Sequence, residues 1–561
     1  MAHSPAGFFI PRQKPCVFTA RPITMRNTTM RPPSTTPGTE LTTLRHAMQA
    51  IQAGQFSQPR ALLAPLVAQQ NEQALILHAF CLCGEGDSHA AAQILADIGL
   101  RNPSSQHPLQ DLSEIMAALD QRPSAIAVCR AAARLAPADT RIHTALGDLL
   151  VQTGQFEAAI TTLTEATSKH PQDMLAHNLL SMAYTESGAL DTALQCLMAC
   201  LPHTPKDVPT LANIASVLAA QGHMEQSFGY FAQALALRPQ DARIRVNHSV
   251  ALLKAGQYAQ GWREHEWRFQ LPGHTSLPME RLLPTLGPNT DLSGQRILIT
   301  HEEGLGDTLM FARYVRPLAE RGAITHLWVP EALADLCRNM PGVHTVQVGG
   351  TTPAYDWHCP FISLPRVFAA TSQPWGTPVP YIRANSHKVV ALAPLLPMNG
   401  KLNVGLVWGG APRPTSHFAH MIDRKRSMNL HTLAPLGAIP GINLISLQKG
   451  PYAEQMMDPP EGMMLYDPTD SLHTLDDTAA LIMGLDVVVT VDTSVVHLVG
   501  ALGKPVLLMD RYDNCWRWLH GREDTPWYPT LRIIRQTTPR HWDDVMVRVA
   551  QALADMAAHR R

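Results

Sequence analysis

A superhelix of paired helices followed by two doubly wound α/β halves is the fold class that this 561-residue sequence predicts, and three observations predict it. Proline and glycine recur every 34 residues through the first half. From residue 296 the pattern switches to short β-branched runs separated by helical segments. At that switch the apolar run "RILIT" leads into "HEEGLGDTLMFARY" (301–314), a strand, a two-glycine turn and an apolar-periodic helix. α/β proteins build phosphate cradles with that arrangement, although Leu309 stands where a third glycine would complete G-x-G-x-x-G and no Walker lysine is present.

Composition narrows the class. The length allows about three or four domains at ~150 residues each. Apolar residues make up 45% and the net charge is −1, so no global field points to nucleic acid. The nine cysteines are scattered, with Cys81/Cys83 and Cys196/Cys200 as close pairs and no second pair at zinc spacing. An odd count without a framework reads as a reduced, cytoplasmic chain. The most apolar stretch, 484–509, carries Asp486, Asp492, His497 and Lys504, so no transmembrane segment is expected. Residues 1–41, with "RPPSTTPGTE", lack a compact apolar run and read as a disordered extension, or as sequence upstream of a start at Met25 or Met30, and not as a signal peptide.

The repeats come next. Proline stands at 103, 137, 171, 205 and 239, with aspartate two residues later in "PAD", "PQD", "PKD" and "PQD". Glycine stands at 154, 188, 222 and 256, and Gly86 fits the same ruler with Asp120 in the slot between. A period of 34 with a mid-repeat glycine and a terminal proline marks paired-helix repeats. Glycine permits the positive φ that ends the first helix, and the alanines of "EAAI" and "DTAL" let the two helices approach closely. Each pair leaves an apolar face that the next pair covers. "GWREHEWRFQLPG" (261–273) departs from the repeat, and Trp262 and Trp267 are expected to cap its last face. The Pro/Gly-rich stretch from 271 to 293 reads as a linker.

Beyond it, "RILIT", "THLWV", "LNVGLVWGG", "INLISLQKG", "DVVVTVDT" and "PVLLMD" alternate with helical segments, which implies parallel sheets with crossover helices. A break near 385–400 divides them into two halves, 294–395 and 396–561, with a cleft between. Ligands of such sheets bind at the carboxyl ends of the strands. Three loops there stand out. The first holds Gly304, Gly306 and Asp307. The second is "TVDTSVVHLVGALGKP" (490–505), whose helix start offers free N–H groups to an anion, with Ser494, His497 and Ala501 on one face. The bland alternative is Asp492 as an N-cap and His497 as a satisfied polar residue. The third is "DRKRSMNL" (423–430), joined by Lys449 of "SLQKG"; one or two of Arg424, Lys425 and Arg426 are expected to reach a diphosphate, against a solvated surface run.

These motifs carry two resemblances. Residues from about 42 to 270 resemble the tetratricopeptide repeat family. Residues from about 290 to 555, through "EEGLGDTLMFARY", "WGGAP…DRKRSMNL", "SLQKG" and "VDTSVVHLVGALGKPV", resemble the heptosyltransferase-like glycosyltransferases of family 9, in the bacterial branch fused behind such repeats. The resemblance implies a GT-B fold: two facing Rossmann-like domains, with a nucleotide-sugar donor mainly on the C-terminal one and the acceptor on the N-terminal one. It implies Asp307 as general base, and Asp492, Thr493, Ser494 and His497 as the donor motif, with Ser494 where many relatives carry glycine. It matches Arg424, Arg426 and Lys449 to the donor less securely, and Glu454 as a ribose or sugar ligand less securely still.

The expected function is therefore a metal-independent, inverting transfer of a sugar from a nucleotide sugar to a hydroxyl, without any cofactor. The absence of a D-x-D pair fits it. The acceptor is expected to be a glycan, a lipid-linked saccharide or a protein, and the repeat groove to bind acceptor or partner protein. The location expected is cytoplasmic, with peripheral attachment at the inner membrane as its variant. The rival from another class is a non-catalytic repeat scaffold with a degenerate transferase-like module. Cys359 next to His358, and the tryptophans 516, 518 and 527, are expected to be structural. Trp542, Val545, Met546, Val549, Leu553 and Met556 form one helical stripe, expected to pack across the two halves.

Overall fold

A computed structural model of the chain describes residues 37–101, 122–135, 137–274, 277–369, 375–413 and 417–560. The expected N-terminal extension lies outside these residues except for 37–41, which open the first helix, and Pro103 and Asp120 of the 34-residue ruler also lie outside. The contacts divide the chain into two compact units, one ending at Asn213 and one beginning at Ile214.

The first unit is a run of helices: α1 (Pro37–Gln52), α2 (Ser57–Ala68), α3 (Glu72–Gly84), α4 (Ser88–Arg101), α5 (Arg122–Leu135), α6 (Thr140–Gln152), α7 (Phe156–Lys169), α8 (Met174–Ser187) and α9 (Leu190–Cys200). Each packs on the next in sequence. The boundary falls inside α10 (Val208–Gln221), and α11 (Met224–Leu237), α12 (Ala242–Lys254) and α13 (Tyr258–His265) open the second unit. The glycine ruler has its physical cause here: Gly86, Gly154, Gly188, Gly222 and Gly256 all take φ between +73° and +93°, turning each first helix back on itself. The aspartates after the prolines are N-caps. Asp139 accepts from the Arg141 N–H at 3.1 Å, Asp173 from Ala176 at 3.0 Å and Asp241 from Arg243 at 3.0 Å. The alanines of the second helices, Ala159 and Ala193, are fully buried at the contact.

In the second unit, two parallel sheets come after the last hairpin. The first has β1 (Arg296–Thr300), β2 (Ile324–Trp328), β3 (Thr345–Gln347) and β4 (Trp357–Pro360) in the order β3-β2-β1-β4. The second has β5 (Leu402–Val407), β6 (Ile442–Ser446), β7 (Leu465–Tyr466), β8 (Val487–Val491), β9 (Val506–Asp510) and β10 (Leu531–Arg535) in the order β10-β9-β8-β5-β6-β7. Every residue of β5, β6, β8 and β9 is buried, as parallel strands covered on both faces must be. The strand order reverses between β1 and β4 in one sheet and between β5 and β8 in the other. Loops diverge at such points and leave a crevice at the carboxyl ends. Two Rossmann-like halves of this kind are the GT-B arrangement.

Three expectations need correction. The described residues of 271–293 are no loose linker. The backbone N–H groups of Leu283 and Leu286 donate to His358 and Val367 (2.8 Å each), Leu292 donates to Arg321 (2.8 Å), and all three leucines are buried in the main core. Trp262 does more than cap the last repeat face. It meets Phe311 edge-on at 5.5 Å and Trp516 at 5.1 Å, joining the last hairpin to the α/β core, because no further repeat is there to cover it. Trp267 is half-buried under Arg245. The C-terminal helix Asp543–His559 does not cross the halves. Val545, Met546, Val549 and Leu553 pack with Leu507, Met509 and Ile534 on the second sheet alone.

Candidate active site

The site is built where three strands end. After β1 the chain runs through Gly304 into α14 (Leu305–Phe311), and after β8 through Asp492 into α17 (Ser494–Ala501). Between β5 and β6 lies α15 (His417–Arg426), and α16 (Leu475–Met483) precedes β8. The N-terminal turns of α14 and α17 pack against each other. A Cβ on Gly306 would lie 2.7 Å from the His497 ring and 3.4 Å from Ser494 Cα, so this glycine sets the closeness of the two helices. Gly304 is the N-cap of α14, and its N–H donates to Asp307 Oδ2 at 3.1 Å. Between the halves lies a cavity of about 440 Å³, within the range of small-ligand sites.

One wall is cationic. Thr493 caps α17, its Oγ1 accepting from Val495 N–H at 3.4 Å, so the capping role considered for Asp492 belongs to its neighbour. The Asp492 carbonyl accepts from Arg426 at 2.6 Å, which brings that guanidinium to the free N–H groups of α17. Arg511, directly after β9, is 8% exposed and lines the cavity, and its Nη1 has no hydrogen-bond partner among the described residues. Lys449 also lines the cavity and donates to the Thr469 carbonyl. Gln448 pins the loop after β5: its Oε1 accepts from Trp408 and Gly409 N–H at 2.9 Å each.

The facing wall carries the acids. Asp307 is buried, with Oδ1 bonded to Arg517 and Oδ2 to the Gly304 N–H. Arg517 lies 4.4 Å above the Trp516 ring; burial lowers its pKa to about 10, which leaves it cationic at neutral pH. Glu302 and Glu303, adjacent in sequence, part company. Burial opposes ionisation of Glu302, but Arg268 (2.9 and 3.2 Å) and His274 outweigh it and hold it at about 2. Burial pushes Glu303 up to about 7. His497 is buried, accepts or donates at Nδ1 with Tyr528 Oη at 3.0 Å and stacks on Trp518 at 5.3 Å. Burial lowers its pKa to about 4, so it presents a neutral imidazole. Among the described residues no three His, Cys, Asp or Glu side chains gather as metal ligands would.

Residues 116–183 and 150–218 match the family model "Tetratricopeptide repeat". Residues 116–218 are tetratricopeptide repeats. The chain also resembles a curated relative, Protein FlbA of Caulobacter vibrioides, 28% identical over 349 residues, which is 57% of this chain. The match spans 56% of FlbA, little more than half its length. Among solved structures, the ADP-heptose lps heptosyltransferase II of E. coli is 14% identical, covering 47% of this chain and 99% of its own, with a TM-score of 0.36. The glycosyl transferase family 9 structure from Veillonella parvula is 10% identical, covering 48% and 100%, with a TM-score of 0.37.

Behind the tetratricopeptide repeats, then, the structure brings together Gly304, Gly306, Asp307, Arg426, Lys449, Asp492, Thr493, Ser494 and His497 around one cavity. It leaves out two expected residues. Glu454 is exposed on the turn after β6, where Tyr452 and Gln455 point inward instead. Arg424 does not line the cavity, because successive residues of α15 face different ways; Lys425 turns inward to Asp513 (3.0 Å) and only Arg426 reaches the site. The basic trio is thus no solvated surface run. Asp307, expected as the base, has one oxygen bonded to Arg517 and the other to the Gly304 N–H. Ala501 is buried away from the cavity, while Val495 lines it. Cys359 is buried, which pushes its thiol up to about 12 and removes it as a nucleophile. The three tryptophans pack and are not free to stack on a base. Sequence reasoning missed Glu303, Gln448, Arg511 and Arg517; all four adjoin strand ends or the tryptophan run, which was the available signal.

Among the described residues, no helix is long and apolar enough to cross a membrane.

Proposed function

We propose that the second unit transfers a sugar from a nucleotide-sugar donor to an acceptor hydroxyl, with inversion and without a required metal. One observation carries the reading. A cavity of about 440 Å³ opens at the switch points of two parallel sheets, with helix N–H groups and two arginines on one wall and carboxylates on the other. The donor's diphosphate sits at the start of α17, where backbone N–H groups, Arg426 and Arg511 take up the charge that grows on the leaving group. Lys449 and Ser494 complete this side. Asp307 holds Arg517 at the opposite wall, where the acceptor hydroxyl approaches. His497, neutral, offers a hydrogen bond without adding charge. The repeats bind the acceptor or a partner protein.

The test is release of nucleoside diphosphate from a panel of nucleotide sugars, with and without EDTA, and with lysate acceptors. Release from one donor, unaffected by EDTA, is the expected result. No release from any donor, with the repeats still capturing a partner, would transfer the function to a non-catalytic scaffold.

A further inference from the structure

We propose that Tyr528 fixes the tautomer of His497, so that the imidazole turns an N–H, and not a lone pair, toward the donor's diphosphate; this rests on the glycosyl-transfer reading above. His497 stands in the first turn of α17 and lines the cavity. Its Nδ1 is turned to Tyr528 Oη, at 3.0 Å. The opposite edge of the ring faces Gly306, which also lines the cavity: a Cβ there would lie 2.7 Å from Cδ2 and 3.4 Å from Nε2. Nε2 is therefore the nitrogen that a ligand can meet.

Burial keeps the ring neutral, so only one of its nitrogens carries a proton. The neighbouring hydroxyls decide which. Tyr381 and Tyr528 are both buried. Tyr381 Oη directs its proton to the carbonyls of Leu309 and Met310, at 3.0 and 3.3 Å. Toward Tyr528 Oη, 3.5 Å away, it can only accept, and that separation exceeds an ordinary O–H···O bond. The Tyr528 proton thus has one good acceptor, His497 Nδ1. Were Nδ1 to carry the ring proton instead, the Tyr528 O–H would be buried without a bond, an unfavourable state for a polar group. Nδ1 accepts, and the ring proton stands on Nε2.

The surroundings hold both rings in this pose. A Cβ on Gly500 of the same helix would lie 2.5 Å from the Tyr528 ring, so that ring rests on the helix backbone. Trp518 stacks on the imidazole at 5.3 Å with 19° between the planes. Arg313, buried, donates to the Trp527 carbonyl at 2.8 Å and lies 5.4 Å from the centre of the Tyr528 ring. Its charge opposes a second proton on His497, and burial keeps the Tyr528 phenol protonated. A diphosphate offers oxygens that only accept. An Nε2–H binds them without adding charge, whereas a lone pair in its place would repel them. Tyr528 does not itself line the cavity, so it is a positioning residue.

The test uses the full-length protein labelled with heavy nitrogen at histidine, with the His497 signals assigned by their loss in His497→Gln. Nuclear magnetic resonance is expected to show Nδ1 as a bare imidazole nitrogen and Nε2 as a protonated one; the reverse overturns the inference. Tyr528→Phe keeps the ring and removes the hydroxyl. It should move the His497 signals and raise the Kd for UDP, ADP or GDP, whichever wild type binds, about 10-fold by calorimetry. In His497→Gln, whose amide donates without a tautomer to fix, Tyr528→Phe should change that Kd less than about twofold. An equal loss in both backgrounds, or unmoved signals and affinity in Tyr528→Phe, reduces Tyr528 to packing and overturns the inference. Should Tyr528→Phe melt early, the wild-type spectrum decides alone. Wild-type protein that binds no nucleoside diphosphate and no nucleotide sugar sinks the glycosyl-transfer reading, whereas a proton on Nδ1 in a protein that binds them sinks this inference only.

Discussion

At Gly306 a single hydrogen atom separates α14 from α17. The Cβ of Gly306→Ala would stand 2.7 Å from the His497 ring, a distance real Cβ atoms do not adopt, so the two helix starts must part. We expect a destabilisation of ~1–3 kcal/mol, seen as a lower Tm, and at least ~10-fold less nucleotide release, which we take as about 1.4 kcal/mol of misplaced catalytic geometry. His497 sets a pH dependence. Its folded pKa, about 4, lies below the unfolded value, so the unfolded state binds the extra proton between. Stability is present above pH ~6.5 and is lost as pH falls toward ~4; the acid slope of a denaturation series should flatten in His497→Gln, and an unchanged slope would count against a buried neutral imidazole. At this scale the glycines, Asp492 and Thr493 were legible because each belongs to a strand-turn-helix whose geometry forces its neighbours. Arg517 was not: it meets Asp307 across 210 positions, and no local pattern encodes such a pairing.

Elements were legible where burial is symmetric or the period is long. β5, β6, β8 and β9 are apolar throughout because both faces are covered, and they stand out as continuous runs. β3, β4, β7 and β10 escaped notice; three of them span four residues or fewer, too short for alternation to show. The proline-rich segment misled for a different reason. Its prolines and glycines suit a linker, while the leucines that fasten it are spaced without helical or strand period. Leu283→Ala and Leu286→Ala should each cost about 2–5 kcal/mol, measured by urea unfolding, where a true linker would show almost none. The repeat caps allow a smaller check. Asp173→Ala removes the acceptor of the Ala176 N–H and should lower stability by about 1 kcal/mol, with Asp173→Asn close to neutral.

For the molecule as a whole, the telling contact is the last hairpin. Leu253 and Trp262 share one core with Phe311, Trp516 and Trp527, and the buried Lys254 donates to the Ala219 carbonyl at 2.9 Å and the Asp513 carbonyl at 3.4 Å. Asp513 in turn holds Lys425 and, at 3.4 Å, Arg511 of the site. Trp262→Ala should therefore cost about 3–5 kcal/mol and lower nucleotide release as well, whereas a change confined to α7 should leave release intact. A chain cut to begin with α10 is expected to express as a folded protein, and one cut to begin after residue 270 to aggregate through its bared aromatic face. The consequence concerns how such a gene can be rearranged. The place where recombination could exchange one set of repeats for another is not the proline-rich stretch that resembles a hinge, but a point at or before α10. Upstream of it, repeats can be gained or lost as interchangeable modules. Downstream, the last hairpin shares the core of the α/β halves and must be kept with them.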